Sequence, residues 1–105
     1  MNFTWREHDE ARDDLHGAAR WYAGIVDDLG ERFLQAIEIA AESILDPTYR
    51  WGFYADRKSE PQIYARNVSG FPFQIIYVLN GDEVLVLAYA HERRQPKYWV
   101  HRLGN

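Results

Sequence analysis

The chain has 105 residues, no cysteine and a formal net charge of −4, with 47% hydrophobic and 15% aromatic residues. This composition predicts one folded domain over residues 1–105 and excludes a disulfide framework or a thiolate metal site. No apolar run reaches membrane-spanning length, and the N-terminal MNFTWREHDE lacks the order of a signal peptide. We therefore expect a cytoplasmic protein.

The charge is divided unevenly between the two halves of the chain. Residues 1–46 hold eleven acidic and four basic side chains, which gives −7, whereas residues 47–105 hold eight basic and five acidic ones, which gives +3. A solvated acidic helical face explains this in part. The alternative is a basic surface in the second half that faces an anionic or acidic partner.

The N-terminal half predicts a short strand followed by a helical hairpin. Residues 2–6 alternate weakly, as in a strand, and from Asp9 onwards apolar residues recur at helical spacing. Asp9 is placed to cap this first helix, whose apolar stripe is expected to run through Ile25 and Val26. Asp28 and Glu31 have the spacing of a capping box for a second helix.

That second helix is expected to stop at Asp46-Pro47, because proline disfavours helical geometry in the residue before it. Residues 48–61 then predict an irregular connection. Three strands follow, in QIYARNV, FPFQIIYVL and EVLVLAYAH, and Asn80-Gly81 marks a hairpin between the last two. The final strand is apolar on both faces and is expected to be central, and PKYWVHRL is expected to form a short helical turn or an edge segment.

The predicted fold class is therefore α+β, with two helices on one face of a small antiparallel sheet and the order β-α-α-β-β-β.

The stretch AHERRQPKYW, residues 90–99, follows the most apolar strand and carries most of the candidate chemistry. Alternation along an extended strand predicts that His91 continues the face of Leu85, Leu87 and Tyr89. Further basic and aromatic candidates for contact with a phosphate or a target are Arg66, Arg93, Arg94, Lys97, Trp99 and Arg102.

Such residues suit RNA cleavage without a metal. The attacking hydroxyl needs a base, the leaving oxygen needs an acid, and the phosphorane needs fixed positive charge. Histidine transfers protons near neutral pH and arginine binds phosphate through two parallel bonds, so His91, Arg94 and Tyr98 are the catalytic candidates. The alternative is that the arginines are solvated or salt-bridged and that Tyr98 and Trp99 close the core. No acid–histidine spacing predicts a metal site, and no cofactor is expected.

Taken together, FPFQIIY, VLAYAHERRQPKYW and LGERF, in this order and spacing, resemble the RelE/ParE superfamily of bacterial type II toxins, and the resemblance covers nearly the whole chain. It implies a helical hairpin on an antiparallel sheet and a cognate antitoxin that blocks the toxin. RelE-like members are ribosome-dependent endoribonucleases that cut messenger RNA, whereas ParE-like members poison DNA gyrase.

The resemblance favours the ParE-like class. Tyr98 and Arg94 match functional positions of the nuclease branch, but Glu92 stands where that branch often has arginine, and Gln74 replaces a common basic residue. The helices are acidic instead of lysine-rich, which disfavours approach to ribosomal phosphate. A homo-oligomer and a non-toxic antitoxin-binding module stay open. We expect the basic residues after position 90 to form one exposed surface, with the acidic helices on the opposite side.

Overall fold

The computed structural model describes residues 3–46, 52–54 and 61–104. Its first elements are strand β1 (Thr4–Glu7), helix α1 (Asp9–Ala23) and helix α2 (Leu29–Leu45). The helix N-cap is His8, not Asp9: His8 has extended backbone angles, and its Nδ1 accepts from the Glu10 N–H at 3.1 Å. Asp9 is instead the first residue of the helix, where its charge suits the helix dipole. None of the described helices is long and apolar enough to cross a membrane.

The turn between the helices differs from the sequence-based expectation. Since α1 ends at Ala23, Ile25 and Val26 lie in the connection and are 55% and 47% exposed, instead of continuing the buried stripe. The Asp28 side chain does not cap α2 but pairs with Arg32 at 3.2 Å. The close helix–helix contact requires Gly30, because a Cβ there would lie 2.8 Å from the Ala19 carbonyl oxygen.

The sheet contains β1 and three later strands, β2 (Ile63–Asn67), β3 (Phe73–Asn80) and β4 (Glu83–His91), in the order β1-β4-β3-β2. The predicted β-α-α-β-β-β order and the central position of the last strand are confirmed. The sheet is mixed instead of wholly antiparallel, because β1 pairs parallel with β4. The two strands are far apart in the chain, because the helical hairpin, β2 and β3 all lie between β1 and β4.

The predicted hairpin between β3 and β4 is confirmed, with its two-residue loop shifted by one position. Asn80 pairs with Glu83, so the central residues are Gly81 and Asp82. Of these two loop residues, only Gly81 has a positive φ, at 63°. Glycine first in the loop is what a type II′ turn requires. Of the predicted connection 48–61, residues 52–54 and 61 are described, and Phe53 bridges to Tyr64 at the edge of the sheet; the rest lies outside the described residues.

Both faces of the sheet are covered by apolar side chains. The helices pack on one face, over a buried core that includes Phe33, Ile75 and Val86. The other face carries Trp99 and the short 3₁₀ helix at Val100–Gly104, which confirms the predicted helical turn.

A β-bulge changes the direction of the side chains at the end of β4. Ile76 pairs with Ala88 and Tyr77 with Val86, so Leu87 is an extra residue on β4. Leu87 and Ala88 therefore both pack on the Trp99 side, and Tyr89 returns to the helix side. The expectation that His91 continues the Leu85–Leu87 face is wrong for this reason.

Candidate functional site

The segment after β4 folds back onto α1 through a buried arginine. Arg102 is 5% exposed, and its Nη1 donates to Asp14 Oδ2 and to the Leu87 carbonyl oxygen, each at 2.8 Å. Its Nε donates to Glu10 Oε2 at 3.0 Å. Burial acts to lower the pKa of Arg102, but the hydrogen bond and the charge of Asp14 raise it above its usual value. Arg102 is therefore a permanent cation held between two carboxylates of one helix.

Tyr98 and His101 complete this network, which we call the α1 clamp: Glu10, Asp14, Tyr98, His101 and Arg102. The Tyr98 hydroxyl donates to Asp14 Oδ2 at 2.9 Å, and burial together with the Asp14 charge raises the pKa of Tyr98. His101 Nε2 lies 2.6 Å from Glu10 Oε2, and this contact is the main cause of a lowered Glu10 pKa. The phenol thus stays protonated and the carboxyl stays ionised at neutral pH.

The α1 clamp overturns the expected distribution of charge. The acidic first helix does not lie opposite the basic C-terminal segment but is in direct contact with it, through Glu10 and Asp14. These two residues stand four apart on one face of α1. Their spacing was the one signal in the sequence for the clamp, but nothing in the sequence indicates that the partner lies 88 residues further along the chain.

Three of the expected target-binding residues stay at the surface of the loop after β4: Arg93, Arg94 and Lys97. The Arg94 guanidinium lies 3.9 Å from the centre of the Tyr98 ring, a cation–π contact, and its side chain is still 55% exposed. The backbone of Lys97 has φ of 63°. Since this conformation is unfavourable for a side chain of its size, the surrounding contacts must hold the loop in place.

His91 lies at the base of this loop with one ring nitrogen occupied. Its Nδ1 accepts from the Arg93 N–H at 3.0 Å, and its ring packs edge-on against Phe73. A backbone amide can only donate, so Nδ1 holds a lone pair and the proton of the neutral ring is on Nε2. His91 can therefore donate through Nε2, but it cannot accept a proton at Nδ1 without losing this contact.

Three predicted site residues are not part of the accessible group around the loop: Arg66, Trp99 and Arg102. Arg66 lies on the edge strand β2 and donates from Nη1 to Ser43 Oγ of α2 at 2.8 Å. Trp99 is 1% exposed and packs against Tyr54. Neither Trp99 nor Arg102 is accessible, in contrast to the expectation of one exposed basic surface. The structure brings together His91, Arg93, Arg94, Lys97 and Tyr98.

Among the described residues, His91 lines two clefts. One runs along the loop and is lined by residues that include Gln74, Lys97 and Tyr98. The second, which we call the α1–β4 cleft, has a volume of about 310 Å³ and lies between α1 and the end of β4; its lining is Asp13, Asp14, Gly17, Ala18, Phe73, Tyr89, His91 and Arg94. Within the described part of the chain, no group of three or more His, Cys, Asp or Glu side chains is arranged to hold a metal ion.

Comparison with known proteins identifies the fold. No protein-family model matches the chain, and no curated protein matches it. A solved structure described as the chromosomal ParDE TA system from P. aeruginosa aligns with a TM-score of 0.69 over 85% of this chain and 95% of that chain, at 16% sequence identity. The chain has a RelE/ParE-like fold. The fold predicted from FPFQIIY, VLAYAHERRQPKYW and LGERF is thereby confirmed, and within a RelE/ParE-like fold the α1 clamp joins the first helix to the C-terminal segment.

Proposed function

We propose that this chain is the toxin of a type II toxin–antitoxin pair, that it inhibits growth by a ParE-like action on DNA gyrase in the cytoplasm, and that a cognate antitoxin neutralises it. The fold shared with a chain of a ParDE system supports the general class. The choice of target depends on what the site residues are free to do.

The α1 clamp is the observation that carries the choice. Metal-independent RNA cleavage needs an accessible base and acid beside fixed positive charge. Here the Tyr98 hydroxyl is committed to Asp14, Arg102 is enclosed, and His91 Nδ1 is occupied by a backbone amide. Moreover, Glu10 and Asp14 place negative charge beside the loop, which opposes RNA phosphate. What is left is a small cationic surface of Arg93 and Lys97, beside the half-exposed Arg94 that contacts Asp14 and Tyr98, and such a surface suits recognition of a protein target.

The test is purified gyrase with the purified chain. We expect loss of supercoiling activity and trapping of a cleaved DNA–gyrase complex. The double variant Arg93→Ser/Lys97→Ser removes two exposed charges and is expected to lose this activity while its unfolding free energy stays within about 0.5 kcal/mol of the wild type. The matched control is Arg6→Ser/Arg32→Ser, which removes the same charge from paired surface sites elsewhere. Unchanged supercoiling with the wild-type chain would remove the proposal.

A RelE-like ribosome-dependent endoribonuclease is the second candidate, because His91, Arg94 and Tyr98 line one cleft. In that role Arg94 holds the phosphate and Tyr98 relays a proton. His91 must first release the Arg93 amide and carry a proton on each ring nitrogen, and it then gives the Nε2 proton to the leaving oxygen and remains a neutral ring. Toeprinting on translating ribosomes separates the two candidates: new messenger RNA ends that His91→Ala abolishes indicate the nuclease. The third possibility is a non-toxic antitoxin-binding module. It is indicated if induced expression of the chain without an antitoxin does not arrest growth.

A further inference from the structure

Two of the described histidines accept a hydrogen bond from the backbone amide two residues further along the chain. His91 Nδ1 accepts from the Arg93 N–H at 3.0 Å, and His8 Nδ1 accepts from the Glu10 N–H at 3.1 Å. Only a ring nitrogen without a proton can accept such a bond. Because histidine ordinarily changes its charge between about pH 5 and 8, each of these contacts is open to control by pH.

The contact at His91 holds the first turn of the loop after β4. The Arg94 N–H closes the same turn by donating to the His91 carbonyl oxygen at 3.0 Å. The ring itself packs edge-on against Phe73, with the ring centres 5.1 Å apart. A proton on Nδ1 would face the Arg93 N–H with a second donor, so the bond between side chain and amide is lost when the ring becomes charged.

The charges around His91 permit a positive ring. The charged side chains that line its two clefts come from α1 and from the loop, and they are Asp13, Asp14, Glu92, Arg94 and Lys97. The clefts also hold the phenols of Tyr54, Tyr89 and Tyr98, a group that is ordinarily neutral below pH 8, and the lining side chains of β3 carry no charge. Since Asp14 is paired with Arg102, the other four charges balance. The surroundings therefore do not prevent the ring from taking up a proton.

The far end of the loop responds to acid in the opposite direction. His101 Nε2 lies 2.6 Å from Glu10 Oε2, and a proton on this ring turns the contact into an ion pair. The same contact lowers the pKa of Glu10, which therefore stays ionised in mildly acidic solution. Arg102 is a permanent cation and keeps its bonds to Glu10 and Asp14. Mild acid therefore frees the start of the loop and leaves its end attached to α1.

We propose that His91 is a proton-controlled latch of the loop after β4. Its neutral ring holds the Arg93 amide, and protonation of Nδ1 releases this first turn while the α1 clamp keeps the far end of the loop in place. The bond exists only with the neutral ring, so the latch is closed in the upper part of the range in which histidine titrates and opens as the pH falls through it. The proposal goes beyond the proposed function, because it concerns the order of the loop and not the target that the loop contacts.

The experiment measures hydrogen exchange of the Arg93 amide by NMR at about pH 7.5 and about pH 5.5, corrected for the intrinsic effect of pH on exchange. His91→Asn is the decisive variant, because the asparagine Oδ1 takes the position of Nδ1, accepts a hydrogen bond and does not titrate. His8→Asn is the matched control, because it makes the same replacement in the other histidine contact. Thermal unfolding at both pH values verifies that each variant folds, and the measurements on the wild-type chain need no variant.

For the wild-type chain and for His8→Asn, we expect the protection of the Arg93 amide to fall at least about fivefold between the higher and the lower pH, as the loss of one hydrogen bond implies. For His91→Asn we expect a change of less than about twofold. NMR spectra of the ring nitrogens should show Nδ1 of His91 without a proton at the higher pH.

The proposal is overturned if Nδ1 carries the proton at the higher pH, if the protection in the wild-type chain does not change, or if His91→Asn loses protection as the wild type does. Because no readout uses growth, gyrase or RNA, each of these results leaves the proposed function to its own test.

Discussion

Replacing Arg102 with methionine tests whether the α1 clamp holds the fold together. Methionine keeps much of the volume of the side chain but removes its charge and its donors. The side chains of Arg102 and Asp14 are 5% and 8% exposed, so the substitution leaves a nearly buried carboxylate whose remaining cation is the half-exposed Arg94, 3.9 Å from Asp14 Oδ1. Breaking a buried ion pair from one side costs about 3–5 kcal/mol. A domain of this size has about 5–15 kcal/mol in total, so a large part of the stability is at risk.

Urea unfolding followed by tryptophan fluorescence gives the measurement. With an m-value of about 1–3 kcal/mol/M, this loss lowers the midpoint by at least about 1 M. Arg6→Met is the matched control, because Arg6 pairs with Glu83 at 3.1 Å but its side chain is 54% exposed; such a pair contributes about 0–1 kcal/mol.

The double variant Arg102→Met/Asp14→Asn provides an internal check. It removes the nearly buried carboxylate charge together with Arg102, so we expect it to be less destabilised than the sum of the two single variants. If Arg102→Met lowers the free energy of unfolding no more than Arg6→Met does, then Arg102 behaves as an ordinary surface cation. That result would refute the inference that the clamp makes Arg102 inaccessible to phosphate.

Three further predictions concern single groups. Tyr98→Phe keeps the ring under Arg94 but removes the bond to Asp14, so we expect a loss of about 1–2 kcal/mol in urea unfolding without loss of gyrase inhibition; the nuclease mechanism instead requires loss of RNA cleavage. Gly17→Ala fills open space in a helix, so its thermal midpoint should rise by several degrees, for a gain of about 0.5–1 kcal/mol; a lower midpoint would mean that the space is not open. The Glu10 pKa is lowered on folding, so Glu10 contributes stability above its ordinary value of 4.5 that is lost as the pH falls through the folded pKa; Glu10→Gln should therefore lose less of its stability than the wild type between pH 6 and about pH 3.

The elements that the sequence predicted best are those fixed by local periodicity. The helical stripe of α2 and the apolar run of β3 depend on neighbours within a few residues, and the burial of Phe33, Ile37 and Ile44 agrees with that stripe. The parallel pairing of β1 depends on where the helical hairpin returns the chain, which no local pattern records. The bulge at Leu87 is likewise a property of the pairing between two strands, so simple alternation placed His91 on the wrong face.

The sequence predicted several residues of the candidate site but not how they are arranged in space. Residue types alone do not distinguish Arg102, which is enclosed by α1, from Arg93, which lies at the surface, because both follow the same strand in a basic segment. The difference comes from acids 88 and more residues away. Long-range ion pairs of this kind are decided by tertiary packing, which also explains why the uneven division of charge between the two halves of the chain predicted the wrong surface.

The clamp also determines what kind of target surface the loop offers. The loop after β4 is held at one end by the strand. At the other end it is held by Arg102, which binds Asp14 of α1, so Arg93 and Lys97 lie on a segment with both ends fixed. The segment from residue 91 to 104 carries four basic and one acidic side chain, a charge of +3, and Glu10 and Asp14 reduce it to +1. A field this weak attracts phosphate poorly at physiological salt. For the target-binding role that we propose for this loop, its shape, which the clamp maintains, is therefore expected to matter more than its net charge.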